Sequence, residues 1–219
     1  MNHSPNSIAF LTEALVFPPL ENANSEGLLA VGGDLSADRL LLAYRNGIFP
    51  WFNEDSLILW WSPDPRMVLF PGEFKISKSL KRTLKKNLYS VSRNRSFAEV
   101  IKKCAAVPRP GQGGTWITTG MQEAYTELHH RGFAVSYEVW KEKELVGGLY
   151  GLQLGQVFCG ESMFSTASDA SKVALVQLVR DCRENGIELI DCQVYTSHLE
   201  SLGAVEIPRE EYLHWLKRK

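Results

Sequence analysis

Two apolar, strand-like runs, Leu189-Ile190-Asp191-Cys192-Gln193-Val194 and Phe158-Cys159-Gly160-Glu161-Ser162-Met163-Phe164-Ser165, are each interrupted by polar side chains that a closed core rejects. Strand side chains alternate between faces, so Asp191 and Gln193 are predicted to share one. A carboxylate and an amide among Leu, Ile and Val are costly to bury unless something hydrogen-bonds them. Taken alone, the pair fits a structural unit satisfied by backbone groups as well as it fits a site. Glu161, at the end of the other apolar strand, tips the reading towards a site.

The 219 residues suffice for one large domain or for a small one plus a medium one. With a net charge of −1, any anionic partner has to be met by a local patch. Cys104, Cys159, Cys182 and Cys192 show no C-x-x-C spacing and sit in apolar contexts, which suits reduced thiols in a cytoplasmic protein better than a disulfide framework or a zinc site. The N-terminus has no basic stretch followed by an apolar one, and no run approaches the ~18 apolar residues of a membrane span. Neither secretion nor membrane insertion is expected.

Residues 27–33 read as a short strand ending in a glycine turn, after which Ser36 caps a helix to about Asn46, stopped by Gly47. Pro50, Pro63 and Pro65 forbid a regular helix across 48–66, and this segment is expected to be an ordered loop at a domain junction. The expected division is a small N-terminal domain over 1–65 and a catalytic domain over 66–219. Trp51, Trp60, Trp61 and Trp116 all lie in proline- or glycine-flanked segments. They either pack between domains or wall a pocket, and the two are compatible.

Ser77 is a predicted N-cap for a helix with Lys78, Lys81, Arg82 and Lys85 on one face and Ile76, Leu80, Leu84 and Leu88 on the other. No acidic residue stands between Glu73 and Glu99, whereas Lys75, Lys78, Lys81, Arg82, Lys85, Lys86, Arg93 and Arg95 do. Ordinary solvated faces carry both signs, so Lys78, Arg82 and Lys85 are candidates for phosphate-backbone contact.

After Gly111-Gln112-Gly113-Gly114, Thr119-x-x-Gln122 reads as a capping box opening a helix to about Arg131. Three antiparallel strands follow, over 133–140, 145–154 and 156–160, with Gly147-Gly148 suggesting a bulge or a ligand against the backbone. A helix over 170–185, a strand over 187–194, a short helix near 197–202, a strand over 204–207 and a helix over 209–217 complete the chain. The fold class is α+β: a small N-terminal α/β domain plus a mixed, mainly antiparallel sheet.

That element order resembles the GNAT-type acyltransferase fold, in which donor and acceptor meet between two splayed central strands. The stretch 161–170 has no glycine-rich run to cradle the pyrophosphate of coenzyme A. The match is closer still in Gly-Leu-Leu-Ala-Val-Gly-Gly-Asp-Leu-Ser (27–36), Gly-Ile-Phe-Pro-Trp-Phe (47–52), Trp-Trp-Ser-Pro-Asp-Pro-Arg (60–66), Gly-Thr-Trp-Ile-Thr (114–118), Phe-Cys-Gly-Glu-Ser-Met-Phe-Ser (158–165), Ile-Asp-Cys-Gln (190–193) and Ser-Leu-Gly-Ala (201–204). In order and spacing these resemble the leucyl/phenylalanyl-tRNA–protein transferase family, from about residue 8 to the C-terminus.

The resemblance implies a cytoplasmic enzyme of the bacterial N-end rule. Such an enzyme moves Leu, Phe and less readily Met from Leu-tRNA, Phe-tRNA and Met-tRNA onto proteins that begin with Arg or Lys. It implies no cofactor and no membrane partner, and a monomer is expected. An aminoacyl ester is already activated, so neither a covalent intermediate nor a metal is required, and orienting two substrates should supply most of the gain. Asp191 is the best candidate to hold the attacking amine and accept its proton, with Gln193 orienting the amine or the carbonyl; proton shuttling by the tRNA ribose remains an open alternative. Glu161 anchors a charged group, either the donor's ammonium or the acceptor's basic side chain. Phe158, Met163 and Ile190 can wall a donor side-chain pocket, although core packing explains Phe158 and Ile190 at least as well. Trp51 and Trp116 can stack on the terminal adenine or narrow that pocket.

Overall fold

The computed structural model describes residues 8–107 and 115–218; the Gly-Gln-Gly-Gly run at 111–114 lies outside them. A small four-stranded sheet has the order β1-β2-β4-β3, built from β1 (Ala9–Leu11), β2 (Leu28–Gly32), β3 (Phe49–Pro50) and β4 (Leu59–Trp61). Helix α1 (Ala37–Arg45) starts where Ser36 Oγ accepts from the Arg39 amide and ends before Gly47, whose φ is 73°. The proline-rich segment is therefore not simply loop. Pro50 is tolerated because β3 is an edge strand, where a missing N–H costs no ladder bond.

The large sheet has the order β11-β5-β10-β9-β8-β7-β6. Its strands are β5 (Arg66–Leu69), β6 (Ser90–Arg93), β7 (Ala134–Lys141), β8 (Glu144–Leu154), β9 (Val157–Ser165), β10 (Leu189–Gln193) and β11 (Val205–Ile207). Only β9 and β10 run parallel; their neighbours pair antiparallel. The helices are α2 (Lys78–Lys85), α3 (Phe97–Ala105), α4 (Thr119–His130), α5 (Ala170–Glu184), α6 (Ser197–Ser201) and α7 (Arg209–Lys217). Strands β5 and β6 and helix α3 have no counterpart in the sequence reading. The cap of α4 is Thr118, one residue earlier than predicted, because its hydroxyl accepts from the Met121 amide while Gln122 turns to the Ile117 carbonyl.

Two apolar cores lie on the two faces of this sheet. One holds Val68, Tyr150, Cys159 and Leu189 with Phe97 and Tyr125; the other holds Met67, Leu149, Phe158 and Ile190 with Val173 and Leu178 of α5. Alternate residues of each strand fall in opposite cores, as the pleat requires. Gly147 lets α5 approach: a Cβ there would lie 2.6 Å from that of Ala170. The ladder also slips between Val139 and Trp140 opposite it, so of the bulge or ligand expected at Gly147-Gly148 the bulge is present, and the space against Gly147 is taken by a helix.

Candidate active site

The parallel pairing of β9 and β10 covers only Val157–Cys159 with Leu189–Asp191. Beyond that point both strands are irregular. Opposite β8, Tyr150 pairs with Ser162 and Gly151 with Gly160, so Glu161 is the extra residue of a bulge. Opposite β5, Asp191 pairs with Val68 and Gln193 with Met67, so Cys192 is the extra one. Gln193 has a φ of 61°, which breaks the simple alternation that the sequence reading assumed. The first bulge also exchanges faces: Cys159 shares its core with Phe164, whereas Phe158 shares its own with Met163.

A cavity of about 590 Å³ opens where the two strands part. Phe158, Met163 and Ile190, with Leu175 and Leu178, form an apolar wall; Glu161, Asp191 and Gln193 border it, and Trp51 and Trp116 lie on its rim side with Phe49 and Pro50. All eight of the non-basic candidates named from sequence thus gather around one space. Phe158 and Ile190 are also almost wholly buried core residues, so packing and lining coincide in them. Trp60 belongs to the core of the small sheet, its indole donating to the Gly32 carbonyl at 2.9 Å.

Asp191 is fully buried and saturated. Oδ1 accepts from Arg66 Nε at 2.8 Å and from the Gln193 amide at 3.0 Å; Oδ2 accepts from Arg66 Nη2 at 2.7 Å and from Tyr212 Oη at 2.9 Å. A carboxylate offers about four acceptor positions, and all are taken. Arg66 lies between the rings of Phe49 and Tyr212, 4.8 and 4.6 Å from their centroids, and donates to the Gly47 carbonyl at 3.1 Å. Burial pulls the guanidinium's pKa down, but the Asp191 charge overcomes this and raises it. The expected picture of Asp191 as a carboxylate free to take up an amine does not fit this geometry. Its visible effect is to fix the backbone of Gln193, whose buried Nε2 has no hydrogen-bond partner among the described residues.

Glu161 meets a different environment. Oε1 accepts from Tyr44 Oη at 2.7 Å and Oε2 from Tyr125 Oη at 3.0 Å, and the two phenol oxygens are themselves in hydrogen-bond contact. Burial pushes its carboxyl up to about 7, against the pull of the two phenols; the Asp191 charge adds to the rise and Arg66 opposes it. Both phenols are held well above their usual range, first by burial and then by the Glu161 charge.

Arg66, Tyr44, Tyr125 and Tyr212 were not singled out by the sequence reading. A buried tyrosine needs a partner for its hydroxyl, but nothing local says which. The basic residues Lys78, Lys81, Arg82 and Lys85 are exposed on α2, outside the ion pairs found among the described residues. Arg93 and Arg95 instead stack over Tyr137 and Trp140, 5.9 and 5.2 Å from the ring centroids.

Residues 68–217 match the family model for leucyl/phenylalanyl-tRNA protein transferase, and residues 33–64 match the model for its N-terminal domain. The leucyl/phenylalanyl-tRNA–protein transferase of Syntrophobacter fumaroxidans is 62% identical over 203 residues, covering 93% of this chain and 87% of that one. That of Flavobacterium johnsoniae is 56% identical, covering 96% and 99%. Among solved structures, FemX overlays with a TM-score of 0.49 at 13% identity, over 78% of this chain and 66% of that one. The chain belongs to the leucyl/phenylalanyl-tRNA–protein transferase family.

Proposed function

We propose that this chain transfers Leu, Phe and less readily Met from aminoacyl-tRNA to the α-amine of proteins whose first residue is Arg or Lys, as a cytoplasmic step of the bacterial N-end rule. The observation that carries the reading is the cavity between β9 and β10, which combines an apolar wall with Glu161 and the side-chain Nε2 of Gln193, which has no partner among the described residues. Leu or Phe fills the space bounded by Phe158, Met163 and Ile190. The terminal adenosine lies against Trp51 and Trp116, where ring stacking is worth about 1–3 kcal/mol per base.

Asp191 and Gln193 work as one unit in this scheme. The Arg66–Asp191 pair fixes the turn at residues 191–193, and Gln193 presents its amide to the ester carbonyl or to the arriving amine. Glu161 supplies a carboxylate that is in none of the ion pairs among the described residues. Lys78, Arg82 and Lys85 meet the tRNA backbone, a sequence-independent contact that salt weakens.

The test supplies labelled Phe-tRNA or labelled acetyl-CoA together with a protein beginning with Arg. Label should pass from the tRNA only, and the rate should fall by tenfold or more when Lys78, Arg82 and Lys85 are replaced by Ala. Transfer from acetyl-CoA would overturn the reading; an unchanged salt dependence in the triple variant would remove α2 from it.

A further inference from the structure

Glu161, Tyr44 and Tyr125 form a closed ring of three hydrogen-bond contacts: Tyr44 to Oε1, Tyr125 to Oε2 and phenol to phenol. Each contact is satisfied by one proton. The phenols supply two, since both are held far from ionising near neutrality. With an ionised carboxylate, one contact is left as bare oxygen against oxygen. A carboxylic acid completes the set: Glu161 donates to Tyr44, Tyr44 to Tyr125, and Tyr125 back to the other carboxyl oxygen. The ring is thus built to hold one more proton than its ionised form carries.

Peptide-bond formation from a protein N-terminus needs somewhere to put one proton. An α-ammonium has an unperturbed pKa of ~7.7–8.0, so near neutrality its lone pair is mostly blocked. Asp191, with every acceptor position filled, cannot take that proton. We propose that Glu161, with Tyr44 and Tyr125 as its positioning residues, is the base that takes the proton shed by the acceptor's α-ammonium.

The step balances. An N–H bond of the ammonium breaks and its proton passes to Glu161, which becomes the neutral acid of the filled ring. The freed lone pair attacks the ester carbonyl carbon, and a C–N bond forms. As the tetrahedral carbon collapses, the bond to the ribose oxygen breaks, and that oxygen leaves with the second proton of the nitrogen. Glu161 returns its proton to solvent when the product departs.

The titratable groups around Glu161 are Tyr44 from α1, Tyr125 from α4, Tyr150 from β8, Cys159 on its own strand, and Arg66 and Asp191 from β5 and β10. Their balance with burial leaves the carboxyl near 7, where it can both take and return a proton.

This inference rests on the transferase reading, and the experiment separates the two. Single-turnover transfer from Phe-tRNA to a peptide beginning with Arg is followed from about pH 6 to about pH 9, spanning both groups. Wild type should rise through an inflection near pH 7 as Glu161 ionises and then level off, because the free amine still attacks. Glu161→Gln, whose amide can fill the ring without titrating, should be slower by about 10²–10⁴-fold, and its rate should rise only as the amine itself loses its proton, at the unperturbed ~7.7–8.0. Tyr44→Phe and Tyr125→Phe each break the ring, removing a phenol bond to the carboxyl together with the phenol–phenol contact, so each should displace the inflection from its wild-type position; melting curves confirm that the variants fold. An inflection near pH 7 that survives Glu161→Gln overturns the proposal, as does one unmoved in both tyrosine variants. A higher KM for the donor with the wild-type profile intact would also overturn it, assigning Glu161 to donor anchoring. If wild type transfers nothing, the transferase reading falls as well.

Discussion

Two carboxylates flank the point where β9 and β10 part, and their surroundings could hardly differ more. Asp191 has a guanidinium, a phenol and a backbone amide, and every acceptor position is taken. Glu161 has two phenols and no direct cation, and its charge is near balance. Residue type alone makes them equivalent; environment separates a carboxylate held in an ion pair from one poised near neutrality.

The largest test of this contrast is Arg66→Met, which leaves the Asp191 charge buried and unpaired. It should cost about 3–5 kcal/mol of stability in urea unfolding, and a loss under about 1 kcal/mol would mean that Asp191 is not committed to its ion pair. Next comes Glu161→Gln. The folded value near 7 exceeds the ordinary 4.5, so the stability contributed by Glu161 is full below about pH 4.5, declines through the interval and is gone above about pH 7. Glu161→Gln should therefore match wild type near pH 4.5 and exceed it by about 3 kcal/mol near pH 8. A variant no more stable at pH 8 than at pH 4.5, relative to wild type, would show that Glu161 is not held near neutrality. The smallest effect belongs to Tyr212→Phe, which removes one of four bonds to a still-paired Asp191. It should cost about 1–2 kcal/mol, equally at both pH values; a pH-dependent loss would blur the line between the two carboxylates.

Much of this arrangement is legible in sequence because it is local. The helices from Thr119 onward follow from period and punctuation, as do the Ser36 and Ser77 caps and most of the strands; the strand read over 156–160, however, runs on past its bulge to Ser165 and carries Glu161 within it. Polar residues in apolar strands located Glu161, Asp191 and Gln193 on the cavity. What sequence hid is separation and register. Arg66 meets Asp191 across 125 positions, and Tyr44 meets Glu161 across 117. The bulges at Glu161 and Cys192 depend on how neighbouring strands pair, which no single strand encodes. Strand β5 is hidden because Pro63 and Pro65 mask its start, and β6 because its half-exposed Ser-Val-Ser-Arg run carries too little apolar signal.

The span between Tyr44 and Glu161 has a consequence for biosynthesis. During translation Tyr44 emerges 117 residues ahead of the carboxylate it serves. The ring of Tyr44, Tyr125 and Glu161 therefore cannot close until β9 has been made and seated in the sheet, so the polar centre of the site is completed late in synthesis.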